Sequence, residues 1–205
     1  MAFEIVVVGT SIGGLRALQV LLSGLPAGFP LPVVIVQHRG KDSEIGLVDF
    51  LGSSSRIPVS EPEDKEAISP GSAYLAPRDY HLLVENGSFV LSTDQPVAFA
   101  RPSIDVLFES VADEYQERTI GVVLTGANQD GARGLAAIKM RNGLTLVEDP
   151  ESAVCREMPD AAIAATQVDK ILSLQEIAPC LGLLSESVRD LPAPGPRGMG
   201  THYGR

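Results

Sequence analysis

Tryptophan is missing from this chain of 205 residues, and cysteine occurs only twice. Cys155 and Cys180 do not form a CxxC pair, so no disulfide framework is expected and a reducing compartment fits this usage. Basic residues are scarce: 16 lysines and arginines against 26 acids leave a formal net charge of −10. Those few cations are scattered, with no basic stripe, which excludes nucleic acid and anionic membrane surfaces as expected partners. Long apolar runs are absent too. None approaches the roughly 20 residues that a membrane span needs, so no direct membrane insertion is expected. No basic segment precedes an apolar one at the start, so no signal peptide is read and a cytoplasmic location is expected. The three histidines stand in neither HExxH nor His–Cys spacing, so no metal site is expected.

What remains is ample for a core. Hydrophobic residues make up 44% of the chain, enough for one sizeable α/β domain, whereas two would be a stretch. Short, continuous Val/Ile/Leu runs at Ile5–Val8, Val33–Val36, Ile120–Leu124, Leu144–Val147 and Ile171–Leu174 read as strands covered on both faces. Helical stripes lie between them: Leu15, Leu18 and Leu22; Ile104, Leu107, Phe108 and Val111; Leu135 and Ile138. The fold class expected is therefore α/β: a doubly wound, mostly parallel sheet with helices on both faces. A small antiparallel hairpin, His81–Glu85 and Ser88–Leu91 around Asn86-Gly87, is expected near a sheet edge. Residues 40–71 read as an acidic loop region. The domain is expected over 1–190, with a Pro- and Gly-rich disordered tail at 191–205.

In an open parallel sheet, ligands bind beyond the carboxyl ends of the strands, at a topological switch point. After the first strand comes Ser11, after the second Gln37-His38, and after the third Thr125-Gly126-Ala127-Asn128-Gln129-Asp130-Gly131. If the first strand is central, His38 and Asp130 approach Ser11 from its two sides as base and orienting carboxylate. Gly9-Thr10-Ser11-Ile12-Gly13 fits the G-x-S-x-G nucleophile elbow, with strand before and helix after. The bland reading of Ser11 is a helix cap. That of His38 is a half-buried, hydrogen-bonded imidazole, and that of Asp130 is a cap for the helix after it. A dinucleotide loop at the Gly13-Gly14 turn is the weaker rival, because Ser11 takes the middle glycine's place and no acid ends the second strand. The N–H groups of Ile12 and Ala127 are candidate oxyanion donors. Arg101, just ahead of a helix, reads either as a reach toward a substrate carboxyl or amide, or as a surface ion pair.

These segments, taken together from about Ile5 to Ala178, resemble the catalytic domain of the CheB-type chemotaxis receptor methylesterases. The matching pieces are Gly9–Gly14, Val36-Gln37-His38, Tyr74-Leu75-Ala76-Pro77 before His81, Arg101-Pro102-Ser103-Ile104-Asp105, Leu124–Ala132, and Asp149-Pro150 through Met158-Pro159. The resemblance implies a Ser-His-Asp triad at Ser11, His38 and Asp130, without cofactor or metal. It implies hydrolysis of glutamate methyl esters, and deamidation of selected glutamines, on the cytoplasmic helices of methyl-accepting chemoreceptors. Typical members also carry a phosphoacceptor receiver domain. None is read in these 205 residues, so either constitutive activity or a separate receiver or regulatory protein is expected. The chain departs from the family's usual pattern at Ile12 (threonine there), Ala127 (methionine) and Asn128 (glycine). Those departures keep open the alternative of a non-catalytic scaffold module in a chemosensory array.

Overall fold

The computed structural model of the protein describes residues 2–38 and 46–189. Strand β1 (Ile5–Thr10) leads through helix α1 (Gly14–Gly24) to β2 (Val33–Gln37), then α2 (Leu47–Ser54), β3 (Val59–Ser60) and β4 (Ala73–Leu75). The hairpin β5 (His81–Glu85) and β6 (Ser88–Ser92) precedes α3 (Ile104–Tyr115). The chain then runs through β7 (Thr119–Val123), α4 (Ala132–Met140), β8 (Leu144–Glu148), α5 (Glu157–Ala165), β9 (Lys170–Leu172) and α6 (Leu174–Arg189). Seven strands form one sheet in the order β3-β4-β2-β1-β7-β8-β9, and every pairing in it is parallel.

The apolar runs are continuous because both faces of the sheet are covered. Side chains alternate along a strand, so Val6 and Val8 of β1 join Leu18, Leu21, Leu22, Ile177 and Leu181 beneath α1 and α6. Ile5 and Val7 join Leu107, Phe108, Leu135 and Ile138 beneath α3 and α4. The chain first builds outward from β1 on one side, through β2 to β4. It then crosses back by α3 and builds β7, β8 and β9 on the other side. The switch point therefore lies at β1, and the loops leaving β1, β2 and β7 meet above it.

Two expectations need correction. The stretch read as loop contains α2 and β3, with β4 close behind; strands of two and three residues carry too short an apolar run to stand out. The expected antiparallel hairpin is present and stands apart from the main sheet. It forms a separate two-stranded sheet that packs Leu82, Val84 and Phe89 into the α3 layer and donates Val84 N–H to Ser110 Oγ at 3.1 Å. Leu174 opens α6 rather than closing a strand, because Ser173 and Glu176 form a capping box in which the glutamate accepts Ser173 N–H at 2.9 Å. Residues 39–45 and 190–205, including the expected tail, lie outside the described residues. Among the described residues no helix is long and apolar enough to cross a membrane.

Helices α3 and α4 cross at Gly134, where a Cβ would stand 2.5 Å from Phe108 Cβ and 3.1 Å from Asp105 Cα. Gly134→Ala therefore forces the two helices apart, an overpacking cost of about 2 kcal/mol. The thermal midpoint should fall by about 4–8 °C, read by circular dichroism; an unchanged midpoint would refute the close crossing.

Candidate active site

The turn after β1 is built around Ser11. Its N–H donates to Thr125 O at 3.0 Å, and its carbonyl accepts Gly14 N–H at 2.9 Å. Gly13 takes the left-handed conformation at φ 81°, which glycine adopts without penalty. A Cβ on Gly14 would lie 2.1 Å from Gln37 Oε1, so the second glycine makes room for that amide beneath the turn. The cap position of α1 is Gly13, with no side-chain cap bond. Among the described residues no hydrogen bond engages the Ser11 hydroxyl, which is therefore not serving as a helix cap. It faces a cleft of about 430 Å³ lined also by His38, Asn128, Phe99 and Arg101.

His38 stands beside Ser11 because of strand register. Thr10 pairs with Gln37 in the parallel β1–β2 ladder, so the next residue on each strand emerges at the same edge, one strand spacing apart. His38 N–H donates to Thr10 O at 3.0 Å. Gln37, 8% exposed, ties the two together: its Nε2 donates to Ser11 O and to His38 O, each at 2.9 Å. Two carbonyl acceptors fix the orientation of that amide, and its buried Oε1 has no hydrogen-bond partner.

Asp130 leaves the β7–α4 loop and points away from its own helix. Its Oδ2 receives His38 Nε2 at 2.7 Å and Ile104 N–H at 2.7 Å. Its Oδ1 receives Ser103 Oγ–H and Asp105 N–H, each at 2.9 Å. Asp130 thus caps α3, while α4 is served by Asp105, whose Oδ1 accepts Gly131 N–H at 2.9 Å and Gly134 N–H at 2.8 Å. The reading of Asp130 as a cap for the helix after it is corrected accordingly. Burial pushes the Asp130 carboxyl up, but the hydrogen bonds from His38, Asp105 and Ile104 outweigh it and hold the group below the ordinary carboxylate range. For Asp105 burial prevails: despite the N–H of Gly134, and helped by the neighbouring charge of Asp130, its carboxyl is raised.

The carboxylate at Nε2 defines the imidazole. Nε2 carries the proton, and Nδ1 presents its lone pair. This is the reverse of the protease arrangement, in which the aspartate holds Nδ1. Asn128 Nδ2 lies 3.1 Å from that Nδ1. A second layer backs the carboxylate: Ser103 N–H donates to the buried His81 Nδ1 at 3.2 Å, and His81 Nε2 meets Gln95 O at 3.2 Å. His81 is therefore a brace for the segment that caps Asp130. Sequence reading placed it in the hairpin and gave it no part in the site. Gln37 and Ser103 were legible only as a strand end and a helix cap.

Ser11 N–H and Gly126 N–H are both occupied, the latter by Cys155 O at 3.1 Å. Among the described residues the next N–H on each side, Ile12 and Ala127, donates to no protein acceptor. Thr125 holds the two loops together. Its N–H reaches the buried Glu148 carboxylate at 2.8 Å, and its hydroxyl reaches Ile12 O at 2.9 Å. Burial raises the Glu148 carboxyl, only partly offset by that N–H. Arg101 lines the cleft, but four of its hydrogen bonds are committed to Asp79 and to the carbonyls of Thr93 and Asp94. It braces the wall carrying Phe99, whose side chain is fully exposed. No group of three or more metal-ligating side chains occurs among the described residues.

The model of the CheB methylesterase family matches residues 6–181. A putative protein-glutamate methylesterase/protein-glutamine glutaminase of Leptospira interrogans is 47% identical over 179 residues, covering 87% of this chain and 93% of that protein. The protein-glutamate methylesterase/protein-glutamine glutaminase of Trichodesmium erythraeum is 43% identical over 182 residues, and there the chain spans 52% of the relative's length. The crystal structure of the Thermotoga maritima CheB methylesterase catalytic domain superposes with a TM-score of 0.84 at 36% identity, covering 90% of this chain and all of that one.

The depressed Asp130 carboxyl makes a stability prediction. Its ionised form is favoured by folding, so its contribution is present at neutral pH and disappears as pH falls through the folded-state value. Asp130→Ala should lower the unfolding free energy by about 2 kcal/mol or more near pH 7, and by much less at about pH 2. Urea titrations of both proteins at the two pH values measure the difference; an equal deficit at both would overturn the assignment.

Proposed function

The chain belongs to the CheB methylesterase family, and on that premise we propose that its cleft hydrolyses glutamate methyl esters on the cytoplasmic helices of chemoreceptors, and deamidates receptor glutamines, through Ser11, His38 and Asp130. The observation that carries this reading is the gathering of hydroxyl, imidazole and carboxylate at the switch point: Ser11 and His38 line one cleft, and His38 Nε2 lies 2.7 Å from Asp130. The reading is consistent with the names of its relatives, which pair the two activities.

In the proposed reaction His38 Nδ1 takes the proton of Ser11 Oγ as that oxygen bonds to the ester carbonyl carbon. The negative charge that develops on the carbonyl oxygen meets the N–H groups of Ile12 and Ala127, both backbone donors and so independent of the side chains at those positions. The imidazolium, paired with Asp130 through Nε2, returns the proton from Nδ1 to the departing methoxide, and methanol leaves. Water then repeats the attack on the glutamyl ester of Ser11, giving glutamate and free serine. With glutamine as substrate, ammonia takes the place of methanol.

Methyl-accepting receptors of chemosensory arrays are the partners this reading requires, and the cytoplasm is where their methylated helices are reached.

Ser11→Ala should lower methanol release from receptor methylated in vitro by about 10⁴-fold or more while the thermal midpoint stays put; unchanged release would sink the assignment. A serine-directed fluorophosphonate should mark Ser11 in the wild-type protein, and failure to mark it would favour a scaffold module. Gln37→Leu removes the link between the two backbones at the site. It should reduce kcat by about 10–100-fold with KM little changed, whereas a rise in KM at constant kcat would assign Gln37 to substrate binding.

A further inference from the structure

His38 has two ring nitrogens, and both are engaged. Nε2 donates to Asp130 at 2.7 Å, so Nδ1 holds the lone pair that must receive the Ser11 proton. The group found at Nδ1 is the Asn128 amide, with Nδ2 at 3.1 Å. The orientation of that amide is fixed independently: Asp130 N–H donates to Asn128 Oδ1 at 3.0 Å, which leaves Nδ2 facing the ring. Asn128 is not among the residues with positive φ, so its place in the loop is an ordinary one and no backbone strain attends a smaller residue there. Among the described residues no hydrogen bond joins Ser11 Oγ to His38.

We propose that Asn128 is a positioning residue that caps the catalytic base in the resting enzyme: its Nδ2–H occupies the His38 Nδ1 lone pair and has to leave before Ser11 can be deprotonated. The proposal rests on the reading of Ser11 and His38 given above. A lone pair accepts one strong hydrogen bond at a time in good geometry, so Ser11 Oγ–H and Asn128 Nδ2–H compete for the same site. The competition also has a direction. Once Nδ1 takes a proton it becomes a donor, and a second donor facing it is repelled. The cap therefore suits only the neutral, idle imidazole and is expelled as the base is used. Asn128 lines the same cleft as Ser11, so an entering substrate carbonyl is an acceptor to which Nδ2–H can turn. The resting serine is thereby kept quiet toward electrophiles that do not draw the amide away.

The test uses the full-length protein and a fluorophosphonate, which reports serine nucleophilicity without a receptor. The rate of adduct formation is followed by intact mass, and the adduct is located by peptide mapping. Asn128→Ala removes the donor and should speed labelling at Ser11 by about 3–10-fold, the worth of one neutral hydrogen bond. The ¹⁵N resonance of His38 Nδ1 should shift as the amide donor is exchanged for the Ser11 hydroxyl, and a residue with only a packing role would leave it unmoved. Asn128→Ser keeps an acceptor for Asp130 N–H but is too short to bridge to the ring, so it should label as fast as the alanine variant even if the alanine variant proves unstable. Equal or slower labelling of Ser11 in the folded variants overturns the cap and leaves the nucleophile assignment standing. No adduct at Ser11 in any background overturns both.

Discussion

The Asp130 carboxylate sits on the first N–H groups of α3 while Asp105, in the first turn of α3, sits on those of α4, so two helices are capped by each other's acids. A helix cannot satisfy its own leading N–H groups, and its N-terminal end favours negative charge. Both demands are met here by one exchange, and the exchange locks α3 against α4 at the Gly134 crossing. Its consequence for the site is rotational. A carboxylate held only by a histidine can turn; one that also receives Ile104 N–H, Asp105 N–H and the Ser103 hydroxyl cannot. The His38 ring is thereby aimed by the packing of two helices. Burial, with the neighbouring charge of Asp130, raises the Asp105 carboxyl, while the hydrogen bonds from His38 and two backbone N–H groups hold that of Asp130 below its ordinary range.

Sheet geometry supplies the other half of the arrangement. Ser11 and His38 are far apart in neither register nor space, because β1 and β2 are parallel neighbours and each residue is the first beyond its strand. The carboxylate arrives from β7, on the opposite flank of β1. Nothing in this requires long or flexible connections. Gln37 then converts proximity into fixed distance by donating to both backbones, and Thr125 does the same between the Ser11 turn and the Cys155 loop. Both use side chains just at or beyond a strand end, where a backbone no longer has its ladder to hold it.

That division explains what was legible in the sequence. Central strands such as Val33–Gln37 announce themselves because burial on both faces demands an unbroken apolar run. The short strands Val59–Ser60 and Ala73–Leu75 do not, since two or three residues bury too little to leave a pattern. Ser11, His38 and Asp130 could be picked out as polar residues following strands. Their supports could not. Ser103 reads as an ordinary helix cap, His81 as a hairpin residue and Gln37 as a strand end, and only the crossing of α3 over the sheet shows that they converge. Arg101 illustrates a different gap: it lines the cleft, but the Asp79 carboxylate and the Thr93 and Asp94 carbonyls that hold it come from two separate loops whose paths no local pattern specifies.

The direction of the imidazole also bears on why one site would serve both ester and amide. The first attack gives the same tetrahedral carbon in each case, and the glutamyl ester of Ser11 that follows is identical, so the water step is shared. The substrates differ only in what must leave. Methoxide departs with its proton arriving in step, whereas an amide nitrogen has to be protonated before its bond to carbon breaks. The proton in both cases is the one on Nδ1, and the ring is oriented so that Nδ1, not Nε2, faces the cleft. Oxyanion donors lower both barriers alike and cannot choose between the substrates. The reach of Nδ1–H to the leaving atom can, because it matters more to the poorer leaving group. Whatever shares that nitrogen, Asn128 first among the described residues, therefore bears on the balance between the two reactions more directly than the substitutions at Ile12 and Ala127, whose backbone N–H groups are unaltered by them.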